Sequence, residues 1–251
     1  MKIGVFDSGY GGLWILKHLV YTLPSCEYVY FADQAHIPYG TKEPEEITAY
    51  SMSITDFLIS HGCTLIIVAC NTATSVAIET LRASYPHIMF VGIEPAIKPA
   101  SINSKTRHIG VLATERTIRG KKLEESIEKF AHDVTVHTVV GTGLVELVEQ
   151  GKADSNEAEL LLRTYLEPCI EKQIDHLVLG CTHYSFLIPR IKKILGQTVT
   201  IVDPAPRVVD RVVSLSKDYS LSGQHHHTEP QLYTSGAELE KLKSFYGDIQ
   251  L

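Results

Sequence analysis

The 251-residue chain is long enough for two small domains that share a core, and its 44% hydrophobic and 21% charged residues are typical of a globular protein. The formal net charge of −6, without a long run of Lys or Arg, argues against a nucleic-acid groove. No stretch approaches the length of a membrane span, and the N-terminus lacks the apolar core of a signal peptide, so we expect a cytoplasmic protein that does not enter a membrane.

Short apolar runs alternate along the chain with amphipathic segments of helical length. Strands are predicted at 2–6, 27–32, 64–69, 87–92, 108–113, 133–140, 176–180, 198–202 and 230–234. Helices are predicted near 12–21, 44–61, 72–84, 116–131, 154–172, 184–195, 205–217 and 237–245. This alternation predicts an α/β fold of parallel sheets with helices on both faces. In such sheets ligands bind beyond the carboxyl ends of the strands.

Two pairs of similar segments indicate an internal duplication. The pairs are 2-KIGVFDS-8 with 108-HIGVLAT-114, and 64-TLIIVACNTATS-75 with 175-DHLVLGCTHYSF-186. Their offsets are similar, 106 (108 against 2) and 111 (175 against 64). The second pair aligns Cys70 with Cys181. We therefore predict two similar lobes whose strand ends face a shared cleft, with these two cysteines on opposite sides of it.

Two of the five cysteines stand where a reactive thiol is expected. The cysteines are Cys26, Cys63, Cys70, Cys169 and Cys181. They are scattered and form no Cys-x-x-Cys pair, which argues against a disulfide framework, a zinc knuckle or a redox pair. Cys70 and Cys181 each follow a predicted strand and would open a helix, whose N-terminal N–H groups favour a thiolate. The other three fit the role of small buried hydrophobes.

The polar neighbours of these two thiols add to the signal. Asn71, Thr72 and Thr182 can donate hydrogen bonds, and His183 can hold or relay a proton. Two equivalent thiols across a cleft suit a reaction that removes a proton from one face of a carbon and returns one to the other. The sequence therefore predicts racemisation or epimerisation by general acid–base catalysis, with one cysteine as thiolate and the other as thiol.

The glycine-rich stretch 7-DSGYGG-12 does not predict a nucleotide site. It lacks the spacing of a dinucleotide-binding loop and the Gly-Lys-Ser/Thr of a P-loop. Asp7 at the end of the first strand would repel a phosphate but attract an ammonium group, with Ser8 beside it.

Two further segments carry weaker signals. The loop at Tyr39 and Gly40 can bring backbone N–H groups and a phenol to the cleft, although such a loop is more often only a connection. Thr114 and Thr117 follow the strand that matches the first strand of the chain. They can belong to the site or serve only as helix caps.

No cofactor and no metal is expected. The run 225-HHH-227 lacks a suitably spaced carboxylate or thiol, and three adjacent side chains cannot all face one ion from a strand, so it predicts a solvated loop. No lysine lies beside a phosphate-binding loop, as pyridoxal phosphate would require. Because a proton bound to carbon is a very weak acid, the reaction would need a dry, preorganised site.

Seven motifs together make the chain resemble the glutamate racemases, cofactor-independent enzymes of the aspartate/glutamate racemase family that supply D-glutamate for bacterial peptidoglycan. The motifs are 3-IGVFDSGYGGL-13, 38-PYGTK-42, 67-IVACNTATS-75, 111-VLATERTI-118, 145-VELVEQG-151, 178-VLGCTHYSF-186 and 232-LYTSGA-237. The resemblance implies two pseudo-symmetric, doubly wound α/β domains with the active site in the cleft between them. The first would comprise 1–95 plus 210–251, and the second 96–209.

The resemblance also implies a set of site residues. Cys70 and Cys181 would be the catalytic acids and bases. Asp7 would meet the substrate ammonium or assist Cys70, and His183 would assist Cys181. The α-carboxylate would bind to Asn71, Thr72 and Thr182, and the distal carboxylate to Ser8, Tyr39 and Gly40. Thr114, Thr117 and Glu149 match positions at or near the site. The expected partner is the small molecule glutamate, and the family often forms homodimers, so we expect a homodimer.

Two positions depart from the family pattern, and other functions stay open. Gly141 stands where relatives usually have a third cysteine, and His36 where they often have a basic residue. The nearest alternative is a racemase of another small acidic substrate, such as aspartate, or a hydantoin racemase. A non-catalytic interaction protein derived from a racemase and a thiol redox sensor are two further alternatives.

Overall fold

The computed structural model describes residues 1–216 and 229–250. The strands in these ranges are β1 (Lys2–Asp7), β2 (Glu27–Ala32), β3 (Leu65–Val68), β4 (Met89–Gly92), β5 (His108–Ala113), β6 (Thr135–Val140), β7 (His176–Gly180), β8 (Thr200–Val202) and β9 (Gln231–Thr234). The α-helices are α1 (Leu13–Thr22), α2 (Pro44–Ser60), α3 (Asn71–Ser84), α4 (Ile97–Asn103), α5 (Glu115–Ile118), α6 (Lys121–Phe130), α7 (Leu144–Glu149), α8 (Asn156–Glu171), α9 (Ile188–Leu195), α10 (Ala205–Ser216) and α11 (Leu239–Asp248). Short 3₁₀ helices occupy Gln34–His36, Tyr39–Thr41 and Thr182–Leu187.

The chain divides into two compact units, each built on a parallel sheet. The first unit is Met1–Ile93 with Ala205–Leu251, and the second is Glu94–Pro204. Within the described residues, the first sheet has five strands in the order β4-β3-β1-β2-β9, and the second has four in the order β6-β5-β7-β8. All the neighbouring strands pair in parallel. The predicted α/β class with parallel sheets and helices is therefore confirmed.

Central strands of both sheets are buried because they are continuously apolar. Every residue of β3 and of β7 is buried, as expected for parallel strands with helices on both faces. Among the described helices none is long and apolar enough to cross a membrane. The run 225–227, predicted as a solvated loop, lies outside the described residues.

Both sheets share one strand order and one register. The order β4-β3-β1-β2 in the first unit matches β8-β7-β5-β6 in the second. Ile3 pairs with Leu65 in the first sheet, and Ile109 pairs with His176 in the second. The offsets between these equivalent residues are 106 (109 against 3) and 111 (176 against 65), as in the sequence matches. This agreement supports the predicted duplication.

The structure corrects two of the predicted helices and contains two that were not predicted. The helix expected over 116–131 is split, because Gly120 has an extended backbone (ψ 137°) that ends α5 and begins α6. After Cys181 the chain first forms the 3₁₀ helix Thr182–Leu187, so an α-helix does not begin directly at this thiol. Helices α4 and α7 were not predicted, because each is under two turns long and α4 contains Pro99.

Candidate active site

In the first unit, the predicted site residues lie around the carboxyl ends of β1 and β3. Asp7 is the last residue of β1, and the neighbouring strand β3 ends two residues before Cys70. Gly12 lets the following helix start against these strand ends, since a Cβ atom there would lie 2.7 Å from the Cβ of Asp7 and 3.1 Å from that of Ala69. Any larger residue at position 12 would push α1 away from the strands.

Cys70 is the N-cap of α3 and its thiol takes part in the cap. The residue is 6% exposed, and its Sγ accepts a hydrogen bond from the backbone N–H of Ala73 at 3.5 Å. The thiol also lies 3.8 Å from the Oγ of Ser8, to which it can donate. A sulfur that accepts from the first turn of a helix is in an environment that favours the thiolate form.

Asn71, which follows Cys70, has a buried polar side chain. The residue is 3% exposed, and among the described residues neither its Oδ1 nor its Nδ2 has a hydrogen-bond partner. Buried polar groups are nearly always paired, and leaving an amide unpaired is unfavourable. The amide is thus available to a polar ligand next to the Cys70 thiol. Thr72, which follows it, is equally buried.

The loop after β1 is held rigidly around Asp7. The carboxylate of Asp7 is fully buried, and its Oδ1 accepts a hydrogen bond from the N–H of Gly9 at 2.8 Å. The Tyr30 hydroxyl donates to the carbonyl of Gly9 at 2.6 Å. Ser8, between them, is buried as well. A buried carboxylate held in place by these bonds suits a cationic partner.

The Tyr39 phenol is engaged with a residue that sequence reasoning missed. It donates a hydrogen bond to Oδ2 of Asp33 at 2.5 Å. Burial raises the pKa of Tyr39 strongly, and the nearby Asp33, Cys70 and Asp7 raise it further, so the phenol keeps its proton. Gly40 follows in the same short 3₁₀ helix. The Tyr39 hydroxyl is thus engaged within the protein, and the binding of a distal carboxylate by this loop stays a prediction.

The buried carboxylate of Asp33 has several hydrogen-bond partners in the first unit. Its carboxylate also accepts hydrogen bonds from the Ser235 hydroxyl at 2.6 Å and pairs with Nδ1 of His36 at 2.8 Å. One signal in the sequence marks it: Asp33 directly follows β2, as Ser8 directly follows β1, at the same edge of the sheet. A rule that treats every acid at a strand end as a candidate would have found it.

In the second unit, three predicted residues form a hydrogen-bonded chain. Cys181 directly follows β7, and its Sγ lies 3.8 Å from Nδ1 of His183. The other ring nitrogen, Nε2, lies 2.7 Å from Oε1 of Glu149 at the end of α7. Cys181 and His183 are almost fully buried, at 7% and 1% exposure. A thiol, an imidazole and a carboxylate in series can hold and deliver one proton.

The ionisation of His183 is set by its two neighbours. Burial by itself disfavours the charged ring, but hydrogen bonds and charge attraction from Cys181 and Glu149 outweigh it, so the pKa of His183 is raised well above its ordinary value. A protonated ring in this position stabilises a thiolate at Cys181. Glu149, whose role the resemblance left open, is therefore a direct partner of the imidazole.

The remaining predicted residues of this unit lie at the same edge of its sheet. Ala113 at the end of β5 pairs with Gly180 at the end of β7. The residues that follow these two strands, Thr114 and Cys181, are therefore neighbours. Thr114 caps α5 by accepting from the N–H of Thr117, and the two hydroxyls are 2.9 Å apart. The helix-cap reading is thus confirmed, and a role in binding stays a prediction. Thr182 is buried.

The other three cysteines have the properties of inert thiols. Cys26, Cys63 and Cys169 are at most 2% exposed, and all three are free. Burial raises the pKa of the Cys63 thiol to about 11, and it raises those of Cys26 and Cys169. Their expected role as small buried hydrophobes is confirmed.

The two α/β units share one strand order, and each carries a buried thiol with polar neighbours just beyond the carboxyl end of a strand. The chain belongs to the Asp/Glu/Hydantoin racemase family, whose model matches residues 17–212. Because that family consists of racemases, the protein is an enzyme of the isomerase class. Residues 17–212 include both thiols, Asn71, His183 and Glu149.

Individual relatives extend the likeness over most of the chain. A glutamate racemase from a Roseiflexus species is 41% identical over 219 residues, which cover 87% of this chain and 80% of the relative. The solved structure of a glutamate racemase isoform from Bacillus anthracis has a TM-score of 0.88 at 28% identity, covering 99% of this chain and 94% of that one. The glutamate racemase of Francisella tularensis, solved with D-glutamate, has a TM-score of 0.85 at 29% identity and covers 100% and 94%.

Proposed function

We propose that this protein interconverts L-glutamate and D-glutamate without a cofactor, with Cys70 and Cys181 as the two acid–base groups. The observation that carries the proposal is the equivalence of the two thiols. Cys70 lies five positions after Leu65, and Cys181 lies five positions after His176, which are equivalent residues of the two sheets. A mechanism that treats both enantiomers alike needs two such groups, one for each face of the carbon.

The proton transfers follow from this arrangement. In one direction a thiolate at one cysteine removes the α-proton, and the S–H of the other cysteine gives a proton to the opposite face. The product leaves the two cysteines with their protonation states exchanged, so the enzyme is ready for the reverse reaction. His183, held by Glu149, stabilises the thiolate of Cys181, and the N–H of Ala73 stabilises that of Cys70.

The amino and α-carboxyl groups of glutamate match polar groups next to the thiols. The Asp7 carboxylate receives the substrate ammonium or assists Cys70, because it is a buried acidic group at the end of β1. The Asn71 amide, which has no partner among the described residues, binds the α-carboxylate together with Thr72 and Thr182. Donors aimed at this carboxylate also stabilise the negative charge that develops when the α-proton leaves.

The distal carboxylate is assigned to the 3₁₀ turn at Tyr39–Thr41, with Ser8. First-turn N–H groups of a short helix have no partner within that helix, so the backbone around Gly40 can receive an anion. The Tyr39 hydroxyl donates to Asp33, which fixes the turn. We propose glutamate rather than aspartate as the substrate. The relatives above are named glutamate racemases, and one of them was solved with D-glutamate.

The test is solvent exchange with the purified protein. L-Glutamate in heavy water, with no added cofactor, should lose its α-proton NMR signal while its optical rotation decays. Cys70→Ser and Cys181→Ser should each slow racemisation by at least about 100-fold, the lower range for removal of an acid–base group. Cys63→Ala and Cys169→Ala are matched controls, since both residues are buried thiols that do not follow the carboxyl end of a strand, and these variants should racemise normally.

Other outcomes would redirect the proposal. Exchange of aspartate but not glutamate would assign the protein to another small acidic substrate. No exchange with either would favour the non-catalytic interaction protein. Full activity in both serine variants would favour a thiol with another role, such as a redox sensor.

We further propose that the product serves peptidoglycan synthesis in the cytoplasm and that the active enzyme is a homodimer. Depletion of the protein in its host should then cause a growth defect that added D-glutamate rescues. Light scattering on the purified protein measures the mass of the assembly, and a monomer with full activity would overturn the dimer.

A further inference from the structure

A second connection runs beside the His183–Glu149 hydrogen bond in the second unit. Tyr184 directly follows His183 and is fully buried. Its hydroxyl donates a hydrogen bond to the carbonyl oxygen of Gly141 at 2.9 Å, and its backbone N–H donates to the carbonyl of Cys181 at 3.1 Å. Tyr184 therefore joins the turn that carries the thiol to the segment between β6 and α7.

Gly141 leaves room for this ring and little else. A Cβ atom at position 141 would lie 2.5 Å from the Oη of Tyr184, 2.9 Å from its Cζ and 2.9 Å from Cδ1 of Leu144. These distances are shorter than real Cβ contacts, and two of the three atoms belong to the rigid, fully buried phenol of Tyr184. The phenol occupies the space that any side chain at position 141 would need.

The two connections join the same pair of segments. Gly141 begins the loop that leads into α7, and Glu149 ends α7. Tyr184 bonds to the first of these residues and His183 bonds to the last. The hydrogen bonds at the two ends of this segment together fix the distance between the His183 imidazole and the Glu149 carboxylate. A proton-transfer group that is misplaced by about 1 Å loses much of its efficiency.

We infer that Tyr184, seated on Gly141, is a positioning residue that holds the Cys181–His183 pair in register with Glu149. It touches the carbonyl of Gly141 rather than the reacting atoms, and it acts on the thiol through the turn that both share. Its consequence for turnover rests on the proposed racemase function, but its effect on the Cys181 thiol does not.

The variants are Tyr184→Phe, which removes only the hydroxyl, and Gly141→Ala, which displaces the ring. The matched control is Tyr165→Phe. The Tyr165 hydroxyl donates to the carbonyl of Thr142 at 2.7 Å, so this control removes the same kind of bond to the next residue of the same loop. Tyr165 lies on α8 and is not part of the turn that carries the thiol.

The first readout needs no racemase activity. We would alkylate each protein with iodoacetamide across a range of pH and quantify Cys181 and Cys70 separately by mass spectrometry. Tyr184→Phe should slow alkylation of Cys181 at neutral pH by about tenfold, the ratio expected for one lost hydrogen bond, and move its rate profile to higher pH. Cys70 in the same molecule should be unchanged, and Tyr165→Phe should match the wild type. A profile of Cys181 that is unchanged in both Tyr184→Phe and Gly141→Ala would overturn the inference.

The second readout is the α-deuterium isotope effect on racemisation in each direction. A racemase has an equilibrium constant of one, so a variant must lose kcat/KM equally in both directions. If Tyr184 positions only Cys181, the isotope effect should rise in the direction in which Cys181 removes the deuteron and fall in the other. Equal changes in both directions would indicate a general loss of structure and overturn the inference. If no racemisation occurs in the wild type, the proposed function fails and the alkylation result still decides the role of Tyr184.

Discussion

The two thiols stand at equivalent positions but have different partners. Cys70 is supported by a backbone N–H and a serine hydroxyl, and Cys181 by a histidine that is bonded to a glutamate. The two acid–base groups are thus tuned by different means. Because each must act as base in one direction and acid in the other, we expect substitutions around Cys70 and Cys181 to have opposite effects on directional isotope effects.

Asn71 offers a test that separates binding from folding. Asn71→Ala removes an amide with no hydrogen bond in the described structure, so the melting temperature should stay the same or rise. It should reduce kcat/KM by about 10- to 150-fold, the range for a lost hydrogen bond to a charged group. Thermal unfolding and initial rates measure the two effects.

The control for Asn71 lies on the same helix. The Thr74 hydroxyl donates to the carbonyl of Val68 at 3.0 Å and accepts from the N–H of Ile93 at 3.2 Å. Thr74→Ala should therefore lower the melting temperature and leave kcat/KM nearly unchanged. A fall in stability without loss of activity in Asn71→Ala would refute its assignment to the substrate.

Glu149→Gln tests the charge behind His183. Without the carboxylate, the raised pKa of His183 should fall, and the titration midpoint of its ring should move to lower pH by NMR. A histidine with a raised pKa stabilises the fold fully below its unfolded pKa of about 6.5, and this stabilisation is lost as pH rises through the folded value. The variant should therefore lose more melting temperature at about pH 6 than at alkaline pH. An unchanged midpoint would contradict the assignment.

At the scale of elements, both sheets place their polar residues at the carboxyl ends and use the amino ends for stability. Asp175, just before β7, ties down the loop before β5. Its carboxylate accepts from the Ser104 hydroxyl at 2.8 Å and from the N–H groups of Lys105 and Thr106 at 2.5 and 3.0 Å. The candidate site residues lie at the carboxyl ends of the strands, and the loop before β5 lies at their amino ends.

Asp175→Asn should destabilise the protein without reducing activity. Partial burial by itself raises the pKa of Asp175, but hydrogen bonds from its neighbours, His176 among them, hold it well below its usual range. The stabilisation is complete above the unfolded pKa of about 3.9 and is lost as pH falls below it. We expect the free energy of unfolding at neutral pH to drop by about 1.5–3 kcal/mol, measured by urea unfolding.

A surface ion pair near the same loop provides the control. Arg107 contacts Asp133, which is 68% exposed. Asp133→Asn should cost about 0–1 kcal/mol, because water screens an exposed pair. A cost as large as that of Asp175→Asn would show that charge, rather than the hydrogen bonds to the Asp175 carboxylate, stabilises this loop.

At the scale of the whole molecule, the second unit is one continuous segment with its own core. Ile97, Ile109, Val111, Leu123 and Val178 belong to a single buried cluster of this unit. The segment also contains all the strands of its sheet within the described residues. We therefore expect the fragment Glu94–Pro204 to fold alone, with a cooperative thermal transition by circular dichroism.

The fragment Met1–Ile93 should not fold. It lacks α10, which packs on α1, and β9, which pairs with β2. These elements come from the C-terminal part of the chain, so the first unit is complete only when the full chain is present. A non-cooperative Glu94–Pro204, or a stably folded Met1–Ile93, would contradict the division into these units.

Sequence reasoning anticipated elements whose signals are local. All nine described strands were expected, because apolar runs bounded by polar and glycine residues need no information from elsewhere. Helices α4 and α7 were missed because their short segments are stabilised by packing rather than by periodicity or caps. The break at Gly120 was missed because the apolar period continues through it.

The sequence by itself determined the α/β class, the duplication, and which two of the five cysteines end a strand. Those properties depend on residue type and spacing, which the chain carries along its length. Only the tertiary structure decided that the Tyr39 hydroxyl donates a hydrogen bond to Asp33, that Glu149 bonds to His183, and that Tyr184 fills the space above Gly141. Each of these contacts joins residues from different elements, and its geometry depends on how the strands and helices pack. A hydrogen bond or a close contact is fixed to within a few tenths of an ångström, which the spacing of residues along a chain does not encode.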